Sequence, residues 1–235
     1  MTIERSVGAD GVATLTMDDG KVNAFDVDFF SRLDAAFDAC AGDAAIVLAG
    51  RLGMFSAGLN MKTMATLDVD AMTDLLVHFG EAMMRVWLEP RPVVAAVSGH
   101  AIAGGTILSM TCDHAIAAQG DFRWGLTETT IGFPLPTWII AIARGNVPAH
   151  RLDDLLLPGR MVGPDEAVEV GFADQLAAPE QVLATAQAHA AALAALPRPT
   201  YAETKRRLRG GAAAAGLDGV EADIRGLLSE RGAQG

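Results

Sequence analysis

The sequence predicts an α/β fold finished by a helical C-terminal region, and three observations predict it. Short β-branched and alanine-rich runs, Val12 to Met17, Ile46 to Ala49 and Val93 to Val97, alternate with amphipathic stretches of helical period. Two of these runs lead into small-residue turns, at Phe55-Ser56-Ala57-Gly58 and from Ser98-Gly99 to Gly104-Gly105, each followed by a helical pattern. Beyond Ala178 the chain is rich in alanine and leucine and carries no strand pattern, which divides it into a core, 1–178, and a helical region, 179–235.

In chain order, Thr2 to Val7 and Val12 to Met17 read as a hairpin turned at Gly8-Ala9-Asp10-Gly11. Asp18 to Ala24 is a polar loop, and Asp26 is expected to cap a helix carrying Phe29, Phe30, Leu33, Phe37 and Cys40. Met61 to Thr66 begins a helix. Asp68 to Glu89 forms a longer one, with Leu75, Leu76, Phe79, Met83 and Trp87 on its apolar face, until Pro90 and Pro92 stop it. His114 to Ala118 and Phe122 to Gly125 read as strands, and the pattern turns helical again from Ala141. Pro179 to Leu196 is a long helix that Arg198-Pro199 breaks. Tyr201 to Leu208 and Leu217 to Arg231 form the last helices, with Gly210 to Gly216 between them as a flexible connector or frayed end.

A net charge of -11 argues against generic binding to nucleic acid or to an anionic membrane surface. Lys21, Lys62 and Arg51 are the local cations of the first third, and Lys205, Arg206, Arg207 and Arg209 read as a solvated helix end. Cys40 and Cys112 form no metal-ligand or CxxC pattern and read as core thiols of a reducing compartment. The N-terminal stretch has neither an apolar signal core nor the features of a transit sequence, so a cytoplasmic location is expected. Val93 to Met110 is apolar, but His100, Ser98 and the paired glycines interrupt it where a turn needs them, which makes it a soluble core segment. None of the five histidines shows ligand spacing, so no metal site is expected; His78, on an apolar helix, has no evident carboxylate partner, and it and His100 read as structural.

Two features carry chemistry. The double glycine Gly104-Gly105 is either a close approach of backbones or a helix start whose free amides and dipole stabilise an oxygen gaining negative charge. Glu128 is the only acid between Asp121 and Asp153, among Trp124, Leu126, Ile131, Phe133 and Trp138. It reads either as a desolvated carboxylate of raised pKa, suited to act as a base, or as an exposed acid capping the next turn.

FSAGLNMK, then SGHAIAGG, then CDHAIAA, together with GVATLTM, KVNAF and GPDEAVEVGFADQL, resemble the crotonase (enoyl-CoA hydratase/isomerase) superfamily along nearly the whole chain. The resemblance implies a crotonase-like ββα spiral and an acyl-CoA thioester substrate, with coenzyme A carried by the substrate and no separate cofactor. It also implies a homotrimer or hexamer assembled through the helical region, and a basic residue near Lys205 to Arg209 reaching a neighbouring subunit's CoA phosphates. By the same resemblance the amides of Leu59 and Gly104 form an oxyanion hole. Val22, Ala24, Ser56, Ala57, Gly58, Asn60 and Lys62 lie along the CoA thioester, and Asn23 is either one of that group or a turn residue.

GLTE followed by TTIGFPLPTW is similar to the Δ3,Δ2-enoyl-CoA isomerase branch, in which the residue matching Glu128 is the catalytic base. Hydratases carry a second glutamate where this chain has Ile107, an apolar side chain expected to keep water out. The expected activity is isomerisation of a 3-enoyl-CoA. The alternatives are hydratase, dehydratase or thioesterase chemistry, or silent acyl-CoA binding.

Overall fold

The computed structural model of the chain describes residues 1–232. Strands β1 (Thr2–Val7) and β2 (Val12–Asp18) form the antiparallel hairpin, followed by the short β3 (Ala24–Phe25) and helix α1 (Phe29–Ala39). The buried residues of α1 are the Phe29, Phe30, Leu33 and Phe37 of its apolar stripe. Asp26 does not cap this helix. The cap position is Asp28, which makes no side-chain cap bond, and the Asp26 carboxylate instead accepts from the Met1 ammonium (3.1 Å) and from Arg32 (2.5 Å). Two cations outcompete a backbone amide for one carboxylate.

Three successive turns of chain then repeat one plan. β4 (Ala45–Ala49) leads to β5 (Gly53–Ser56), β6 (Gly58–Leu59), α2 (Met61–Met64) and α3 (Val69–Trp87). β7 (Val93–Val97) leads to β8 (Gly99–Ile102) and α4 (Gly104–Thr111). β9 (His114–Ala118) leads to β10 (Trp124–Gly125), a 3-10 turn at Glu128–Ile131 and α5 (Thr137–Asn146). The first strand of each turn joins a six-stranded sheet of order β1-β2-β4-β7-β9-β11, and the second joins a smaller sheet of order β10-β8-β5. This is the ββα spiral. After α6 (Leu152–Leu156) and α7 (Pro164–Glu169), β11 (Gln175–Ala177) closes the large sheet beside β9. Every residue of β4 and β7 is buried, because these central parallel strands are covered on both faces. The strand expected over Phe122 to Gly125 contracts to Trp124–Gly125.

The face of the sheet away from α1 and α3 is covered by α8 (Val182–Ala194), whose Val182, Ala186 and Ala190 pack with Val47, Val94 and Ile116. The helical region thus shares a core with the residues before Ala178. Then come α9 (Arg198–Leu217) and α10 (Val220–Gly232). Gly210 to Gly216 is no connector. It lies within the continuous α9, and Pro199, in the first turn, opens that helix instead of merely ending the previous one. Gly216 has a packing reason: a Cβ there would lie 2.9 Å from the Trp138 Cα, so glycine lets α9 close on α5.

The basic run on α9 divides by face. Lys205 is buried and reaches Asp113 (2.6 Å) and the carbonyls of Glu89 and Arg91, and Arg209, one turn on, also binds Asp113 (2.8 Å). Arg206 and Arg207 stay exposed and bind Glu203. Only half of the run is a solvated helix end. His78 has a carboxylate partner after all: its Nε2 lies 3.1 Å from Asp34, which also pairs with Arg85.

Candidate active site

The two glycine turns meet. A Cβ on Gly58 would stand 2.7 Å from the Gly104 amide nitrogen, and one on Gly105 would stand 2.2 Å from the Ser56 carbonyl oxygen. The double glycine is thus a close approach of backbones, and that approach sets the Gly104 amide beside the strand that carries Leu59. Gly104 is the first residue of α4, where the helix supplies no acceptor for its amide. Asn60 donates its amide to Phe25 of β3. Successive amides of an extended strand face opposite edges, so the Leu59 amide points away from β3.

The turn is held in place from several sides. Ala103, just before α4, takes a positive φ of 50°, rare for a residue with a Cβ, and its amide donates to the Gly125 carbonyl at 2.8 Å. Thr106 Oγ1 donates to the Ala101 carbonyl (2.6 Å) and accepts from the Gly125 amide (3.0 Å). Strain at one residue is thus offset by bonds on both sides of it.

Leu59, Gly104 and Glu128 line one cavity of about 150 Å³, together with Ala57. Glu128 opens the 3-10 turn after β10 and is 9 % exposed; its Oε2 is buried with no hydrogen-bond partner. Burial pushes its pKa up from the ordinary carboxylate value to about 7, opposed only by a bond from its own backbone. Of the two sequence readings of Glu128, the desolvated one describes the structure. Among the described residues it is the only ionisable side chain in the cavity wall, which is otherwise mainly hydrocarbon from Phe79, Ile131, Phe133, Trp138 and Ile139.

The other expected site residues fall outside that wall. Asn23 is fully buried at a positive φ, with its Nδ2 on the Met17 and Phe55 carbonyls and its Oδ1 taking the Asp19 amide, which makes it the turn residue of its loop. Ser56 Oγ donates to the Asn23 carbonyl and accepts from the Gly58 amide, tying the first glycine turn to the same loop. The Asn60 side chain caps α2 through the Lys62 and Thr63 amides. Val22 and Lys62 are exposed and Ala24 half-buried, while Arg51 clamps the Lys21 carbonyl at 2.7 Å. Ile107 is fully buried in the main core and does not line the cavity, so the side chains that keep water from Glu128 are those of the wall itself.

Sequence reasoning passed over Thr127, Ile102, Pro136 and Ile139, all of which line the cavity. Nothing but tertiary packing identifies the last three; Thr127 was marked only by standing next to Glu128. Among the described residues, no group of three His, Cys, Asp or Glu is arranged to hold a metal, and no helix is long and apolar enough to cross a membrane. His114 and His189, apart in sequence, stack with ring centroids 3.9 Å apart.

A spiral of ββα turns with two touching amide-bearing turns and one buried acid defines the class, and comparison with known proteins agrees. The chain matches the enoyl-CoA hydratase/isomerase family model over residues 8–231 and belongs to that family. It is 28 % identical to human mitochondrial enoyl-CoA delta isomerase 1, over 97 % of this chain and 76 % of that one. It is 36 % identical to a probable enoyl-CoA hydratase of Rhizobium meliloti, over 76 % of this chain and 69 % of that one. The crystal structure of human mitochondrial delta3-delta2-enoyl-CoA isomerase superposes with a TM-score of 0.92 at 26 % identity, covering 97 % of this chain and 91 % of that one. The relatives thus include both isomerases and hydratases, and the family's substrates are acyl-CoA thioesters.

Proposed function

We propose that the protein moves the double bond of a 3-enoyl-CoA to the 2-position, with Glu128 as the single proton shuttle. The observation that carries this reading is the buried Glu128 carboxylate, its Oε2 without a partner, in a cavity with no second ionisable group among the described residues. Glu128 removes a proton from C2, the electron pair delocalises onto the thioester oxygen, and the Leu59 and Gly104 amides hold that oxygen as its charge grows. The dienolate then takes the same proton back at C4. Nothing is added or lost, and one carboxylate serves both steps.

Hydration asks for more. Water must be activated and oriented at C3 while a proton is handled at C2, work for two facing carboxylates, and the position of the second holds the buried Ile107. The CoA arm runs along the exposed Val22 and half-buried Ala24 beside Ala57 and Gly58, with Lys62, Lys21 and Arg51 as the cations within that surface for its phosphates. The test is a direct comparison of rates on a 3-enoyl-CoA and on the corresponding 2-enoyl-CoA. Isomerisation is expected to be far faster, and hydration at an equal rate would end the one-carboxylate reading.

A further inference from the structure

The wall of the cavity has a second layer. Leu76 and Phe133, both in the wall, form with Ile224 of α10 a small buried cluster set apart from the main core, at 4 %, 8 % and 0 % exposure. Ile224 does not touch the cavity; it stands behind the two side chains that do. On the outer side of that helix, the exposed Arg225 binds Asp70 of the first turn of α3 at 2.7 Å and its own-helix Glu221 at 3.0 Å. Phe133 is also fixed from its backbone, its amide donating to the Glu128 carbonyl at 3.0 Å, so the wall and the acid belong to one turn.

The volume sets a scale. The apolar cavity, open to solvent on part of its boundary, has about 150 Å³, room for about six carbons within its walls. A fixed aromatic wall cannot retreat for a longer chain without moving the helix behind it, because close-packed interiors transmit such strain instead of absorbing it.

We propose that Phe133, propped from behind by Ile224, sets an upper limit on acyl chain length, so that the site takes aliphatic acyl groups of about six carbons and turns away long ones. Phe133 is the specificity-determining residue and Ile224 a positioning residue that acts through it. The inference rests on the acyl-thioester reading of the cavity, but not on which reaction occurs there.

The experiment is calorimetric binding of saturated butanoyl-, hexanoyl-, octanoyl- and dodecanoyl-CoA, which cannot isomerise. Wild type is expected to bind hexanoyl-CoA best and dodecanoyl-CoA at least about tenfold more weakly, the lower end of what a misfitting methylene costs. Phe133→Ala should move the optimum toward the longer chains, with Phe133→Leu as the milder variant should the alanine form fold poorly. Ile224→Ala should move it in the same direction by a smaller step. Leu208→Ala, on the exposed side of α9, should leave the profile where it was. A merely structural role for Ile224 would lower the melting temperature without moving the optimum. Equal affinity of wild type for hexanoyl- and dodecanoyl-CoA, or an optimum unmoved in the folded Phe133 and Ile224 variants, overturns the proposal. Because binding needs no proton transfer, a chain-length limit without isomerase turnover would sink the proposed reaction and leave this inference standing.

Discussion

Glu128 and Asp113 are both carboxylates withdrawn from water, at 9 % residue and 7 % side-chain exposure, and they differ in every other respect. Asp113 accepts from the Val93 amide, the Lys205 ammonium and the Arg209 guanidinium, so its oxygens are spent on joining β7 to α9. The Oε2 of Glu128 has no donor, and burial, opposed only by a bond from its own backbone, raises its pKa. A buried acid surrounded by donors holds architecture together. One with no donor beyond its own backbone keeps its proton mobile near neutrality, which is the property a base for a weak carbon acid needs.

The largest effect is expected at the unpartnered acid. Glu128→Gln keeps shape but removes proton transfer, and turnover on a 3-enoyl-CoA should fall by about 10²–10⁴-fold while binding of a saturated acyl-CoA persists. A Gln variant with near wild-type turnover would show that the two carboxylates differ in environment but not in work. The partnered acid should respond in the opposite way. Lys205→Met strands the Glu89 and Arg91 carbonyls and half-empties Asp113, costing about 3–5 kcal/mol in chemical denaturation, as one-sided loss of a buried pair does. Any variant that remains folded should still isomerise.

The contrast also explains what was legible in the sequence. Apolar residues stand close to Glu128 along the chain, Trp124, Leu126, Ile131 and Phe133 among them, so local composition raised the desolvated reading beside that of an exposed cap. The glycine turns were legible because close backbone approach admits almost nothing else. Lys205 and Asp113 are 92 residues apart, and His78 and Asp34 are 44 apart. Their pairing follows from the winding of the spiral, which no local pattern encodes. The continuity of α9 was hidden for the same reason: its Gly216 answers to Trp138 on another helix.

A smaller effect is expected at Glu128 as pH changes. Glu128 has a folded-state pKa of about 7 against an ordinary value of 4.5, so between those values the folded state keeps a proton that the unfolded chain releases. Stability therefore declines as pH rises through 4.5 to about 7, by at most about 3 kcal/mol, and levels off above. Glu128→Gln should be free of this term. The difference between the wild-type and Gln denaturation curves across that window is the measurement, and no change in it with pH would mean the carboxylate is solvated. Isomerase kcat/KM should rise over the same range, because only the ionised acid accepts the C2 proton.

The smallest effect is expected on the outer face of α9, and it sharpens the comparison by holding the helix constant. Glu203 accepts from Arg206 at 2.7 Å and from Arg207 at 2.7 Å, bond lengths as short as those around Asp113. The two arginines lower its pKa to about 2, the direction expected of a well-partnered acid. Geometry alone would rank this cluster beside the buried one. Solvent decides otherwise, because the Arg206 and Arg207 side chains are 68 % and 75 % exposed, and water and salt screen such pairs while the long side chains give up rotamer freedom to make them. Glu203→Gln should accordingly leave the denaturation midpoint unchanged within error at physiological salt, whereas Lys205→Met, two residues away on the inner face, lowers it sharply. A Glu203 variant as destabilised as the Lys205 one would show that partner count, not burial, decides what an ion pair contributes on this helix.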